Sequence, residues 1–273
     1  MAYLAEEVPP ERLGLYVSGT AFGGMIGRVA SGALTEALSW RDALATIGLV
    51  DLTAALAFVA LLPRSRNFGV RRGLTARAHL AAWCGHLRAP YLPALFLVGF
   101  LALGAFMAVY NYAGFRLSAP PYDLNQAQVA LIFFAYLGGV AASSSAGALA
   151  DRVGRGPVML AGALIFLAGL GLTLMTPLPA IIAGITVLTI GFFVVHSIAS
   201  GWVGRLAVRD KGHASSLYLL SYYAGASVLG SAGGWVWRAG GWGTVVAYGA
   251  GLFGLVLVIA LGLQKAGAKA TAT

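Results

Sequence analysis

Cysteine occurs once in these 273 residues, as Cys84, and acidic residues only nine times. A single thiol makes an intrachain disulfide impossible and leaves no cluster of metal-ligand spacing, so redox chemistry and a structural metal are set aside. Charged residues of either sign make up 10% of the chain, far below the share of about 25% usual for soluble domains. At the N-terminus Met1-Ala2-Tyr3-Leu4-Ala5 runs into Glu6 and Glu7 without a basic region, so no cleavable signal peptide is expected. The sequence also lacks H-E-x-x-H, G-x-S-x-G and any acidic pair at helical spacing inside an apolar run. Those absences argue against a membrane enzyme, and no cofactor is expected.

What fills the chain is apolar: 59% of residues are hydrophobic and the mean hydropathy is +0.82. Crossing a bilayer of about 30 Å takes roughly 20 apolar helical residues. Eight such runs occur, at about 13–35, 43–62, 92–115, 127–150, 157–175, 179–202, 215–237 and 243–264. The fold class expected is therefore all-α, a polytopic transmembrane helical bundle of about eight spans. The first run is the least apolar, because Ser18, Thr20, Arg28 and Ser31 interrupt it. Its five glycines between Gly19 and Gly32 suit a helix buried among others.

The net charge of +9 is distributed unevenly. Arg64, Arg66, Arg71, Arg72, Arg77 and Arg88 share one connection that holds no acidic residue. Arg152 and Arg155, then Arg205, Arg209 and Lys211, then Lys265 and Lys269 fall in alternate later connections and the C-terminal tail. The intervening connections hold only Arg41, Arg116 and Arg238. This is the positive-inside pattern, which makes both termini and the long loop at 63–91 cytoplasmic. Aromatics are not interleaved with these bases as on a nucleic-acid-binding surface, so nucleic acid is not an expected partner. Within the loop, Leu74 to Leu87 reads either as a basic amphipathic helix with Leu74, Leu80, Trp83 and Leu87 toward lipid, or as a solvated positive loop that only fixes topology. The loop is the preferred reading.

A shift of 202 aligns the first run with the seventh. Leu15-Tyr16 then meets Leu217-Tyr218, Gly23 meets Gly225, Gly32 meets Gly234, and Trp40 meets Trp242. Transporters built from repeats show such weak internal similarity. If runs one and two repeat runs seven and eight, then runs three to six require four counterparts ahead of Met1. The expected organisation is 1–62, the last two helices of an N-terminal half; 63–91, a cytoplasmic basic linker; 92–264, a six-helix C-terminal half; and 265–273, a cytoplasmic tail.

The fourth run ends in Gly147-Ala148-Leu149-Ala150-Asp151-Arg152-Val153-Gly154-Arg155, which resembles the G-x-x-x-D-R-x-G-R loop signature of the major facilitator superfamily. Met1 to Arg41, with Gly14-Leu15-Tyr16, Gly23-Gly24 and Ser39-Trp40-Arg41, looks like the fifth helix and its flanks in the YnfM-type branch of bacterial inner-membrane transporters. Tyr110-Asn111-Tyr112 with Gly114-Phe115-Arg116 is similar to that branch's seventh helix. The resemblance covers essentially the whole chain but begins after the family's fourth helix. It implies a multi-pass protein of the bacterial plasma membrane that moves a small-molecule substrate, with protons as coupling ion and a monomer if full length. Gly24 stands where the family's drug:proton antiporters carry a proline, a departure that weakens drug antiport as an assignment.

In the family the loop signature closes the cytoplasmic side. Asp151 is expected to cap the N-terminus of a neighbouring helix. Arg152 and Arg155 are expected to pair with acidic groups near Pro10, namely Glu6, Glu7 or Glu11, with Gly147 and Gly154 completing the motif. Ionisable residues inside spans are functional candidates by default. Arg28 and Asp51, each about 10 Å from the outer end of its helix by helical rise, are candidates for a charge pair, either along the path or as a static packing contact. Tyr110, Asn111, Tyr112 and Arg116 form an outer polar and aromatic cluster that suits a solute, with Tyr222 a further cavity candidate. His196 reads as a satisfied packing residue. Gly230 and Gly234, with Gly225 and Gly233, predict close approach of a neighbouring helix. The function expected is secondary active transport of a small solute by alternating access, as proton-coupled efflux. The alternative is a truncated or degenerate membrane protein that does not transport.

Overall fold

The computed structural model describes residues 10–63 and 75–270, and every element among them is helical. In chain order these are α1 (Pro10–Ala37), α2 (Trp40–Leu61), α3 (Ala76–Arg88), α4 (Leu92–Leu117), α5 (Gln126–Ala130), a 3₁₀ turn (Leu131–Phe134), α6 (Ala135–Val153), α7 (Arg155–Leu172), α8 (Leu178–Leu206) and α9 (Lys211–Ala270).

All eight apolar runs fall on helix. Six segments are long and apolar enough to cross a membrane: α2, α4, α5 through α6, α7, α8 and α9. The sixth holds two of the runs, since α9 is broken at Gly240 and at Gly241, whose φ of 64° lies in the left-handed region that favours glycine. Its arms correspond to 215–237 and 243–264. Helix α1 is not among the six, because its glycines and Arg28 dilute the apolar character of its 28 residues.

Local chemistry sets the helix ends. Ser39 caps α2, its hydroxyl oxygen accepting from the Asp42 N–H at 3.2 Å. Asn125 and Gln128 form a reciprocal capping box at the start of α5. Gly154, at φ 94°, turns the chain between α6 and α7 in a conformation that a side chain would strain.

Among the described residues two compact units result: 10–63 with 117–136, and 75–116 with 137–270. In the first, α1 packs on α5 through Gly32, where an added Cβ would strike Ala130 and the Gln126 carbonyl. Helix α2 buries only Ala43, and beyond the half-buried Ile47 its side chains are exposed.

The second unit is held by close-packed helix pairs. Gly162, Gly169, Gly184 and Gly191 bring α7 and α8 together so closely that a Cβ at Gly169 or Gly191 would meet the backbone of the facing helix. The rings of Phe166 and Phe253 stack with centroids 3.4 Å apart. The expected approach along Gly225, Gly230, Gly233 and Gly234 is found, and the partner is α4. A Cβ at Gly225 would collide with the Phe100 carbonyl oxygen, and Gly233 and Gly234 face Tyr112.

The second half of the basic linker corrects the preferred loop reading. Ala76–Arg88 is a helix capped by the Thr75 hydroxyl, which accepts from the Ala78 N–H at 3.3 Å. Periodicity alone underrated it because the contacts that hold it come from far along the chain. His79 Nδ1 lies 2.8 Å from His213 Nε2, and His86 Nε2–H donates to the Asp210 carbonyl at 3.2 Å.

Candidate functional site

The loop motif closes the end of α6. Asp151 sits in its last turn and its carboxylate accepts from Arg205 at 2.9 Å and from Arg155 at 3.4 Å. Arg205 ends α8, so the motif ties the α6–α7 turn to the C-terminus of α8. Asp151 does not cap α7, whose N-cap position is Gly154 and whose first N–H groups have no side-chain cap. Two guanidiniums within reach of one carboxylate outcompete the backbone amides for it. Asp151 and Arg205 are 55% and 62% exposed, which keeps the pair's contribution to stability small. Arg152 is exposed, and no ion pair is formed by it among the described residues. Gly147 has open space beside it. Glu6, Glu7 and the side chain of Glu11, the acidic partners expected for Arg152 and Arg155, lie outside the described residues.

A continuous ladder of rings runs through the second unit on α4, α8 and the first arm of α9. It is built from three pairs spaced four residues apart: Phe106 and Tyr110, Phe192 and His196, Tyr218 and Tyr222. Phe106 stacks on Phe192 at 4.0 Å between centroids. Phe192 reaches His196 at 6.0 Å, and His196 meets Tyr222 at 4.5 Å. Two hydrogen bonds cross the ladder. The Tyr110 and Thr189 hydroxyls are 2.7 Å apart, and His196 Nδ1 lies 3.0 Å from the Tyr218 hydroxyl. Tyr110 and Tyr218 are buried, while His196 and Tyr222 are half-buried. The ring positions carry aromatic faces, phenol hydroxyls and one imidazole, but no carboxylate and no permanent cation.

The outer cluster on α4 separates into different roles. Asn111 is exposed. Tyr112 stacks with Phe115 at 5.6 Å and with Trp237 at 6.0 Å, a packed aromatic layer against the glycines of α9. Arg116 is engaged by the protein's own backbone. Its guanidinium donates to the Thr173 carbonyl and to the Met175 carbonyl, the latter at 2.8 Å, and lies 5.3 Å over the Trp242 ring. Trp242 Nε1 donates to the same Thr173 carbonyl at 3.0 Å. The carbonyls at the end of α7 have no helical partners, and a planar guanidinium is the side chain suited to gather them.

Arg28 and Asp51 do not form the anticipated ion pair. The Arg28 guanidinium lies 4.8 Å over the Phe133 ring. Asp51 is exposed and has no ion pair among the described residues, because α2 makes its packing contacts at Ala43 and Ile47 and Asp51 falls beyond them. The first unit also has an apolar hollow of about 200 Å³ lined by Met25, Ile26, Val29, Ala30, Ala33 and Phe134, which offers a solute no side-chain hydrogen bond.

Sequence reasoning missed Thr189 as the partner of Tyr110, Tyr218 as the partner of His196, Arg205 as the partner of Asp151, and Trp242. The four-residue spacing of the ring pairs was visible in the sequence and was the one signal for the ladder.

A profile of the Major Facilitator Superfamily matches residues 101–272, which include the loop motif and most of the second unit. The chain belongs to the Major Facilitator Superfamily. It is 43% identical over 268 residues to an uncharacterized MFS-type transporter, YybF, of Bacillus subtilis, covering 97% of this chain and 65% of that protein. It is 45% identical over 265 residues to the inner membrane transport protein YnfM of Escherichia coli, covering 96% of this chain and 62% of that protein. A multidrug transporter of Candida glabrata is 33% identical over 135 residues, 47% of this chain and 23% of that protein. The chain thus spans a little under two thirds of the length of the first two relatives. The superfamily membership expected from Asp151-Arg152-Val153-Gly154-Arg155 and the helical membrane architecture expected from the eight apolar runs are both borne out.

Proposed function

We propose that this superfamily member serves secondary active transport of a small solute across a bacterial inner membrane by alternating access, in the outward direction and coupled to protons. The observation that supports this reading best is the ladder of Tyr110, Phe192, His196, Tyr218 and Tyr222 inside a unit that matches the superfamily. Those residues combine hydrogen-bonding groups with aromatic faces on three helices. Asn111, Tyr112, Arg28 and Asp51 are proposed as further pathway residues, the last two acting separately. Orientation with both termini cytoplasmic follows from the basic connections. The loop motif at Gly147 to Arg155 is proposed as a gate on that side, with Glu6, Glu7 and Glu11 as partners of Arg152 and Arg155. Function as a monomer completes the reading.

The test uses everted membrane vesicles carrying the whole chain, energised to hold a pH gradient that a fluorescent amine reports. Neutral aromatic, anionic and cationic solutes are added in turn. Dissipation of the gradient by one class, lost in Tyr222→Ala and in Asp51→Asn while membrane insertion is retained, supports the proposal. A gradient unmoved by every class removes proton coupling for those solutes. Unchanged rates in Asp51→Asn remove that residue from the mechanism.

A further inference from the structure

Helix α3 carries a surface that the transport reading does not use. Its packed side faces the start of α9 through His79 and His86, and Ala78 and Ala82 are half-buried on the same side. At 100° per residue the opposite side carries two adjacent stripes. Leu80, Trp83 and Leu87 form one, with Leu80 57% and Leu87 52% exposed and Trp83, 38% exposed, at its border, where its ring meets His213 edge-on at 6.0 Å. Arg77 and Arg88 form the other, both exposed, with exposed Cys84 between the stripes.

Chain connectivity fixes where this surface lies. Helix α3 ends at Arg88, and the membrane-spanning helix α4 begins at Leu92. The sharp turn between them passes through Tyr91 at φ 69°. The other contact of α3 is with Asp210 and His213, where the membrane-spanning helix α9 begins. The helix is therefore held at the level where two spans enter the bilayer. An apolar stripe beside a basic one is the pattern of a helix lying in the headgroup region, where the apolar residues enter the acyl boundary and the cations meet phosphate. The sequence around it strengthens the charge argument, since residues 63–91 contain six arginines and no acidic residue. Polybasic segments next to a span are attracted to anionic lipid.

We propose that α3 is a membrane-surface helix that docks on anionic phospholipid headgroups of the leaflet where α4 begins, through Leu80, Trp83 and Leu87 inserted and Arg77 and Arg88 on phosphate. The histidine contacts hold the helix to α9 with this face turned outward.

Cys84 is the chain's only cysteine, so the natural sequence accepts a single nitroxide label at the boundary of the two stripes. The full chain is reconstituted into vesicles of phosphatidylcholine alone or with phosphatidylglycerol. Accessibility of the label is read by power saturation with oxygen, which partitions into lipid, and with a water-soluble nickel chelate. The expected result is a several-fold rise in the ratio of oxygen to nickel accessibility when phosphatidylglycerol is present. The doubly substituted Arg77→Gln, Arg88→Gln chain should lose most of that rise. Equal ratios in the two kinds of vesicle overturn the proposal, as does a label shielded from both reagents in both, which means that protein covers this face. The comparison of vesicles uses the natural sequence and does not depend on whether a variant folds.

Discussion

The Asp151 carboxylate accepts from the Arg205 guanidinium at 2.9 Å, joining the last turn of α6 to the last turn of α8 across 54 positions of sequence. Both side chains are more than half exposed, and exposed ion pairs contribute about 0.2–1 kcal/mol. In Asp151→Asn the folded protein is expected to lose no more than that, read as a shift of a few degrees at most in thermal aggregation of detergent-solubilised protein. If the loop motif gates transport, the same variant should lose at least tenfold in transport rate at unchanged membrane abundance. A loss of abundance matching the loss of rate would instead make the motif a folding feature.

Gly225 lies where α4 and α9 come closest, against the Phe100 carbonyl. Neither helix can move aside without opening the contacts at Gly230 and Gly233. Gly225→Ala should cost about 1–3 kcal/mol, the usual range for forcing atoms into a packed interior, and Gly225→Val more. Gly171, by contrast, has open space around its position, so Gly171→Ala should be neutral or slightly stabilising by helix propensity. Thermal midpoints of the solubilised variants measure both, and similar losses at the two sites would contradict the packing argument.

The helices were legible in the sequence because lipid imposes one rule, a continuous apolar run of fixed minimum length, and every run but the glycine-rich first falls in a segment that satisfies it. The close approach at Gly225 to Gly234 was legible for a related reason, since small residues at helical spacing have few uses other than letting a backbone near. The family signature at Asp151 was legible as a motif but not as a geometry. Which cation reaches Asp151 depends on how α6 and α8 end beside each other, and nothing local to residue 151 specifies Arg205. The partners of Arg116 were hidden for the same reason. An arginine beside tyrosines near a span end suits either a solute or an orphaned helix terminus, and only the position of Thr173 decides between them. Helix α3 was underrated because the residues that hold it, Asp210 and His213, are more than 120 positions away from it in sequence.

Arg116 reaches the carbonyls of Thr173 and Met175 with its two terminal nitrogens. Arg116→Lys offers a single ammonium that matches this fork poorly, and Arg116→Gln removes the charge. Each should destabilise the α7–α8 turn, by about 1–2 kcal/mol for lost hydrogen bonds made by a charged donor. If Arg116 serves the turn rather than the solute, KM for transport should stay within twofold of the natural chain. A tenfold rise in KM with unchanged thermal stability would return Arg116 to the solute path.

Tyr218 and His196 form a polar pair in an otherwise apolar stretch of the second unit, with 3.0 Å between the hydroxyl and Nδ1. Deleting the hydroxyl in Tyr218→Phe leaves an imidazole nitrogen without its partner, while the ring and its packing remain. That asymmetry should cost about 1–3 kcal/mol. Replacing both residues, as Tyr218→Phe with His196→Leu, removes the orphan as well as the bond, so the double variant should be less destabilised than the sum of the single ones. The difference is the coupling between the two side chains, expected at about 0.5–3 kcal/mol for residues in direct contact. A cycle that closes to within about 0.3 kcal/mol, the usual agreement for independent sites, would mean that the pair exerts no mutual hold. His196 would then be oriented by its stacking on Phe192 and Tyr222 alone.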